Sequence, residues 1–557
     1  MELVIAIVVI IAAFFAKAIY DKKKYYEKTL AQLKKSWGQI PEQEYTHEEF
    51  KSLTKFYQSI KDPEHDIDDI TWNDIDMDEI FMLMNNTGSA IGEEYLYSIL
   101  RKVKFEKEEL EERNRLIEFF STQTEKRLKL QMALKNIGKL KSISVYEYIN
   151  RLDHVEEKSS LPHIIMIAGL LLSIIYVPFN PAVGVIITVG FIANNIIQYY
   201  RRKAQIEIYF SVCLYVVRLL ARSKEIIKLE LPEIKQYTDQ LDKSILSFSS
   251  FLKGSNMLGS KNPNGDILDV FADYGKMLFH FDLIKFNSML SVFKKNREAL
   301  NEIFHTIGLL DSMIAAASFR EMMDYYAIPE LEKSKAPYLE VEELYHPMIE
   351  KPVTSSIKEN RCVVITGSNA SGKSTFIKTV AINAILSQTI YTSLSKKYKA
   401  CFFQISSSMA LQDNIFSKES YYIVEIKSLK RILDRLDKNV PTLCFVDEVL
   451  RGTNTLERIA ASSQILYNFS KVNALCFAAT HDIELTHILE NYYSNYHFQE
   501  QVVDNNILFD YKLYAGRAVS KNAIKLLGII GYSDDIIQSA SDSANHFLTE
   551  GTWEVLE

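Results

Sequence analysis

The stretch Arg361-Cys-Val-Val-Ile-Thr-Gly-Ser-Asn-Ala-Ser-Gly-Lys-Ser-Thr375 decides the fold of the C-terminal part of the chain. A short apolar strand leads into a Gly-rich loop, and a helical pattern follows from Phe376 to Leu386. In this P-loop order, backbone N–H groups and a helix N-terminus surround a phosphate. The spacing also occurs by chance, but the strand–loop–helix context favours an α/β domain that binds nucleotide phosphates.

Each part of this loop has a predicted role. Lys373 is expected to reach the β- and γ-phosphates, and the Ser374 hydroxyl is expected to bind Mg²⁺. The predicted nucleotide-binding residues are Gly367, Ser368, Asn369, Ala370, Ser371, Gly372, Lys373, Ser374 and Thr375. The cofactors that follow are ATP and Mg²⁺.

Two further apolar runs end in polar residues that suit hydrolysis. Thr442-Leu-Cys-Phe-Val-Asp447-Glu448 ends in two acids, which predicts Asp447 as a magnesium ligand and Glu448 as the residue that orients or deprotonates water. Two acids at a strand end can also be solvated loop residues. Leu475-Cys-Phe-Ala-Ala-Thr-His481 ends in a histidine. This resembles the ABC-type ATPase pattern, in which such a histidine contacts the γ-phosphate.

Other segments resemble the MutS family. Arg451-Gly-Thr-Asn-Thr455 resembles that family's Arg-Gly-Thr-Ser-Thr loop, and the segment from Met409 to Ile426 resembles another family motif. Asp413, Ser420, Val424 and Glu425 match this motif, whereas Asn414, Lys418 and Tyr421 depart from it. In the family the serine that matches Ser420 reaches the γ-phosphate bound by the partner subunit. The resemblance therefore implies a homodimer with composite ATP sites, and the tail from Gly516 to Gly528 resembles the family's dimer-forming end.

The resemblance covers residues 339–540 and extends to 71–140 and 270–338. Phe81 to Leu100 resembles the start of the MutS core or lever helices, with Thr87 and Gly92 in the family's Thr-x-x-x-x-Gly turn. Asn85-Asn86-Thr87-Gly88 is expected to separate two helices. The first 70 residues are too short for the family's mismatch-reading domain and lack its Phe-x-Glu motif. We therefore expect that mismatch reading has been lost.

Composition limits the remaining possibilities. The chain has 557 residues, a net charge of −7 and five cysteines without a CxxC pair. The length predicts two or more domains. The acidic balance argues against simple DNA coating, and the cysteine spacing argues against a zinc site.

Two apolar regions predict contact with a membrane. Leu3 to Ala16 is followed by Lys22, Lys23 and Lys24, which favours an anchor with its C-terminal side in the cytoplasm over a cleaved signal peptide. Residues 161–200 contain no Asp, Glu, Lys or Arg and are interrupted by Pro178-Phe-Asn-Pro181. This pattern predicts a transmembrane hairpin, with a buried soluble hairpin as the alternative.

The predicted fold is an α/β P-loop (ABC-type) ATPase domain at the C-terminus, preceded by an all-α core and lever region with transmembrane helices. The predicted domains are an N-terminal transmembrane anchor (1–20), a juxtamembrane helical linker (21–70), core and lever helices (71–160), a transmembrane hairpin (161–200), returning lever helices (201–338) and an ATPase and dimerisation domain (339–557).

Two functions are compatible with these patterns. The first is an ATPase at the cytoplasmic membrane, facing the cytoplasm, which couples ATP hydrolysis to the handling of branched or mismatched DNA. The second is a membrane-associated ATPase that acts on lipid or on a protein partner without binding DNA. A basic groove and DNA-stimulated hydrolysis would favour the first function.

Overall fold

The structure is a computed structural model that describes residues 2–254, 277–368, 371–409, 421–436, 439–450, 453–503, 506–518 and 523–555. The chain forms two compact units. Unit 1 comprises Met1–Lys61, Phe81–Ile99 and Arg113–Met322. Unit 2 comprises Asp62–Ile80, Leu100–Glu112 and Met323–Glu557.

The regular elements described before residue 323 are helices. They are α1 (Glu2–Ser36), α2 (His47–Leu53), α3 (Lys55–Ile60), α4 (Asp69–Asp74), α5 (Met77–Met84), α6 (Ala90–Arg101), α7 (Lys107–Thr122), α8 (Thr124–Ile137), α9 (Val145–Asn150), α10 (Leu161–Tyr176), α11 (Pro181–Ile227), α12 (Lys235–Leu246), α13 (Ser249–Gly254), α14 (Phe281–Lys295) and α15 (Arg297–Met322), with 3₁₀ turns at Leu152–His154 and Pro232–Ile234. The predicted anchor and the first part of the linker therefore form one continuous helix, α1.

The turn between α5 and α6 lies where the sequence predicts it. Asp311, on α15, accepts hydrogen bonds from the backbone N–H groups of Gly88 and Ser89, both at 2.9 Å. The Ser89 hydroxyl donates to the same carboxylate at 2.5 Å. A side chain from a distant helix thus satisfies the free N–H groups at the start of α6.

Helices α10 and α11 form the predicted hairpin, but α11 is much longer than expected. It runs for 47 residues, because no glycine or proline interrupts the sequence between Gly190 and Ile227. Among the described residues, α11 is the one helix whose length and hydropathy would allow it to cross a membrane, and α10 is a shorter apolar helix.

Unit 2 is an α/β structure. Its strands are β1 (Glu330–Glu332), β2 (Leu339–Leu344), β3 (Ser355–Glu359), β4 (Cys362–Thr366), β5 (Lys397–Cys401), β6 (Gln404–Ser408), β7 (Thr442–Asp447), β8 (Ala474–Ala479), β9 (Tyr493–His497), β10 (Glu500–Val503), β11 (Asn506–Phe509) and β12 (Tyr514–Ala515). Its C-terminal helices are α16 (Lys373–Thr389), α17 (Tyr421–Asp434), α18 (Thr455–Lys471), α19 (Ile483–Ile488), α20 (Ala523–Ile530) and α21 (Asp534–Glu550).

The main sheet has the strand order β12-β9-β4-β8-β7-β6. Strands β9, β4, β8, β7 and β6 are parallel to their neighbours, and β12 is antiparallel to β9. Strands β4 and β8 are buried along their whole length, as expected for the centre of a parallel sheet. The carboxyl ends of β4, β7 and β8 consequently meet at one edge, where ligands of such sheets bind.

Residues 62–80 group with unit 2, although the sequence predicts a linker and lever helices there. Asp68 forms ion pairs with Arg431 of α17 and with Arg435, the residue that follows this helix. The Asp74 carboxylate accepts hydrogen bonds from the Ser407 hydroxyl at 2.6 Å and from the Met409 N–H at 2.9 Å. These long-range pairs attach the segment to the rest of unit 2, and no local sequence pattern predicts them.

Candidate functional site

The loop after β4 depends on two glycines. Gly367 has φ +151°, and a Cβ there would lie 2.8 Å from Ser371 Oγ and 2.9 Å from the carbonyl oxygen of Phe498. Gly372 has φ +107°, a conformation that L side chains rarely adopt. A larger side chain at either position would distort the loop that joins β4 to α16.

Lys373 begins α16 and is buried. Its Nζ donates hydrogen bonds to the carbonyl oxygens of Gly367 at 2.8 Å and of Ser368 at 2.9 Å. The same nitrogen lies 3.5 Å from Nε2 of His481. Ser371 Oγ is buried and has no hydrogen-bond partner among the described residues. The loop therefore surrounds an ammonium group and a hydroxyl that are both suited to phosphate oxygens.

Ser374 and Asp447 come together although 73 residues separate them. The Ser374 hydroxyl donates to Oδ2 of Asp447 at 2.5 Å. The other oxygen, Asp447 Oδ1, is buried and has no partner among the described residues. Hard oxygen ligands of this kind are those that Mg²⁺ prefers.

Glu448 and His481 lie at the ends of β7 and β8. The carboxylate of Glu448 is 2.9 Å from Nε2 of His481. Glu448 has a left-handed backbone, φ 55°, and its N–H donates to the carbonyl oxygen of Ala479 at 2.9 Å. Non-glycine residues in this region are uncommon and cluster at functional sites.

One ion pair and one hydrogen bond hold the segments that carry these two residues in position. Arg458 donates to both oxygens of Asp482, at 2.9 and 2.7 Å, and so fixes the residue after His481. The buried carboxylate of Glu425 accepts a hydrogen bond from the N–H of Leu450, two residues after Glu448. Glu425 matches the family motif, whereas no motif in the sequence marks the Arg458–Asp482 pair.

A cavity of about 340 Å³ lies beside the loop. Gly372 and Thr375 line one side, and Phe376, Phe498 and Tyr511 contribute aromatic rings. His346 also lines it, and its pKa is lowered to about 4 by burial and by the nearby Lys378 ammonium. An aromatic cavity next to a phosphate-binding loop suits a flat apolar ring. Tyr511 and Phe498 were not predicted, because they are more than 120 residues from the loop and carry no motif.

The structure thus brings together most of the predicted site. The residues that meet at the sheet edge are Gly367, Ser368, Ser371, Gly372, Lys373, Ser374, Asp447, Glu448 and His481, with Thr375 at the cavity. Asn369, Ala370 and Ser420 lie outside the described residues, as do Asp413, Arg451, Gly452 and Ser520.

Comparison with known proteins agrees with this geometry. The family model described as MutS domain V matches residues 363–548. MutS protein homolog 4 of Mus musculus is 29% identical over 299 residues, which are 50% of this chain and 30% of that protein. The DNA mismatch repair protein MutS of Pseudothermotoga lettingae is 30% identical over 210 residues, 35% of this chain and 25% of that protein. The DNA mismatch repair protein MutS of Thermotoga maritima is 29% identical over 266 residues, which are 46% of this chain and 33% of that protein.

The chain spans about a third or less of the length of each of these relatives. The match to the family model begins at the buried strand β4 and includes the residues of the sheet edge described above. The chain carries a MutS domain V at its C-terminus, after a helical region, and over part of its length it is similar to proteins of the MutS family.

Proposed function

We propose that unit 2 hydrolyses ATP with Mg²⁺, that the chain acts as a homodimer, and that hydrolysis is coupled to the handling of DNA. The observation that carries the ATPase proposal is the contact between Ser374 and Asp447. It joins the helix after the predicted phosphate-binding loop to the acid at the end of β7, which is separated from β4 by β8, and this is the arrangement of P-loop NTPases.

The loop would hold the phosphates of ATP. The N-terminus of α16, which carries a partial positive charge, begins directly after Ser371 and Gly372. The Lys373 ammonium donates to the carbonyl oxygen of Gly367 at the start of the same loop. The buried, unpartnered Ser371 hydroxyl can donate to a phosphate oxygen. A helix N-terminus and a cation together favour a bound polyanion.

The residues present fit a magnesium ion. Ser374 Oγ and Asp447 would hold it, because they offer a hydroxyl and a carboxylate oxygen without a partner among the described residues. One carboxylate and the substrate phosphates are a common way to bind Mg²⁺ in nucleotide sites. When bound, the ion neutralises charge that develops on the phosphates.

Glu448 and His481 would act on the attacking water. A carboxylate at this position accepts a hydrogen bond from the attacking water. The water oxygen forms a bond to the γ-phosphorus while the bond from that phosphorus to the β–γ bridging oxygen breaks, so ADP, inorganic phosphate and a proton are the products. His481 lies between the Glu448 carboxylate and Lys373, so its Nε2 can donate to Glu448, as here, or to the γ-phosphate once ATP is bound. The cavity beside the loop would take the purine ring against Tyr511 and Phe498.

The homodimer and the DNA substrate rest on family resemblance. Two of the relatives are named as DNA mismatch repair proteins, and Ser420 is the residue proposed to reach the γ-phosphate of a partner subunit. Action on lipid or on a protein partner without DNA is the alternative. The effect of DNA on the rate of phosphate release separates the two functions.

The test measures phosphate release by the detergent-purified full chain without DNA, with linear duplex and with a four-way junction. The Glu448→Gln variant serves as the blank. We expect DNA to raise the rate, and this stimulation to weaken between 50 and 200 mM salt as phosphate contacts are screened, on the order of 10-fold or more. If neither DNA changes the rate of phosphate release by the wild-type chain and Glu448→Gln stays inactive, the DNA proposal is rejected and the ATPase proposal stands.

A further inference from the structure

On the outer surface of the α10–α11 hairpin, exposed apolar side chains occur at adjacent sequence positions as well as one helical turn apart. Leu171 and Leu172 are both exposed on α10, and so are Val185 and Ile186 on α11. Phe179, in the connecting turn, is 80% exposed. A soluble helix that packs on a core shows a single apolar stripe. Here the exposed apolar surface is wider than one stripe, so a single partner helix would not cover it.

Two hydroxyl groups of the hairpin face each other between its helices. The Thr188 hydroxyl donates to Ser173 Oγ at 3.1 Å, and Ser173 donates to the carbonyl oxygen of Leu170 at 2.7 Å. The Asn194 side-chain amide lies 3.6 Å from the sulfur of Met166. Ser173 is buried and Thr188 is half-buried, so these two hydroxyls find hydrogen-bond partners within the hairpin, as a solvent that offers no hydrogen bonds requires.

A polar layer closes the hairpin at its open end. His163 Nδ1 lies 2.8 Å from Nδ1 of His280, and the Tyr199 hydroxyl donates to Asp282 at 2.7 Å. Lys203 donates to the Tyr199 hydroxyl at 3.0 Å. The exposed Arg201 lies next to this layer in sequence. Cations and aromatic groups of this kind favour the boundary between hydrocarbon and headgroups.

From these observations we infer that the α10–α11 hairpin inserts into a lipid bilayer from one side and returns to that side. Its 16-residue first helix is about 24 Å long, whereas the hydrocarbon core is about 30 Å thick. The turn at Phe179 therefore lies deep in the bilayer, and the cationic residues 201–203 can meet anionic headgroups. Residues on both flanks then face one compartment, which is the cytoplasm if the proposed ATPase function holds.

A site-specific label tests the insertion without interference from the apolar start of α1. The five native cysteines are buried, so a single introduced cysteine can be labelled with the environment-sensitive fluorophore NBD. We would compare Phe179→Cys with Leu246→Cys, which is 63% exposed on α12 and serves as the control. Each labelled full-length chain is reconstituted into phosphatidylcholine–phosphatidylglycerol vesicles, with and without lipids that carry a doxyl quencher on the acyl chain.

The label at residue 179 should shift to shorter wavelength and be quenched at least twofold by the doxyl lipids, whereas the label at 246 should change little. Adding Leu172→Asp and Ile186→Asp should abolish the quenching at 179, and adding Leu246→Asp instead should leave it intact. Equal quenching at 179 and 246 would overturn the inference. A label at 179 that is shielded from water but not quenched by the lipids would also overturn it, and would indicate a second copy of the chain as the cover.

Discussion

At the scale of single residues, Ser374 links the phosphate-binding loop to the acid that ends β7. Ser374→Ala removes a proposed magnesium ligand from an exposed position, so we expect ATP hydrolysis to fall on the order of 100-fold with little change in thermal stability. Ser470→Ala is the matched control, because that hydroxyl donates to the carbonyl oxygen of Tyr467 within α18, away from the proposed site. Phosphate release across a magnesium titration is the measurement. Unchanged activity of Ser374→Ala would remove this residue from the site.

His346 predicts a dependence of stability on pH. Its pKa is lowered to about 4 in the folded chain, whereas an unfolded histidine titrates near 6.5. Between about pH 6.5 and 4 the unfolded chain therefore binds more protons at this residue, and the free energy of unfolding falls as the pH decreases. Above this window both states are neutral at His346 and the contribution is constant.

His346→Gln should accordingly lose less thermal stability than the wild type when the pH is lowered from 7 to 5. Thermal unfolding at the two pH values measures the difference, with His47→Gln, at an exposed histidine, as the control. If the wild type and His346→Gln lose the same number of degrees, His346 does not titrate as its burial implies.

The residues that a local pattern could reveal are those of the loop and the strand ends. Gly367 and Gly372 occupy backbone conformations that glycine favours, and Lys373 and Ser374 follow at the spacing that phosphate binding requires. Tyr511 carries no such signal, because its role at the cavity arises only when β10 and β11 bring the chain back to α16. For the same reason the Arg458–Asp482 pair emerges from the fold and not from a motif.

At the scale of elements, the start of α6 depends on close packing against α15. A Cβ at Gly92 would lie 2.2 Å from Asp311 Oδ2, and Asp311 caps α6 through Gly88 and Ser89. Gly92→Ala should therefore lower the free energy of unfolding by about 1–3 kcal/mol through overpacking. Gly190→Ala is the control, because a Cβ there meets nothing within 4 Å. Equal denaturation midpoints for the two variants would contradict the proposed packing.

The lengths of elements were harder to predict than their turns. The break at Asn85–Gly88 and the turn at Pro178–Pro181 were predicted from turn-forming residues, and both are confirmed. The continuation of α11 to Ile227 was missed, because the apolar pattern ends near Ile197 while the helix does not. Charged residues after Tyr200 continue the helix as readily as apolar ones, so the change in polarity marks a change of surroundings and not a helix end.

At the scale of the whole molecule, the family match and the apolar hairpin lie in different units. The family model covers residues 363–548, within unit 2, and the hairpin belongs to unit 1. We therefore expect that substitutions can remove the proposed nucleotide chemistry and the inferred lipid contact separately. The use of DNA remains a prediction, and the DNA-stimulation experiment tests it.

The central claim is that Glu448 serves the chemical step at a site that binds ATP through Lys373. The most direct test measures phosphate release and fluorescent ATP binding by the purified full chain, by Glu448→Gln and by Lys373→Ala. We predict that Glu448→Gln binds ATP like the wild type but hydrolyses it on the order of 100-fold more slowly, whereas Lys373→Ala binds weakly. Hydrolysis at the wild-type rate by Glu448→Gln would contradict the account.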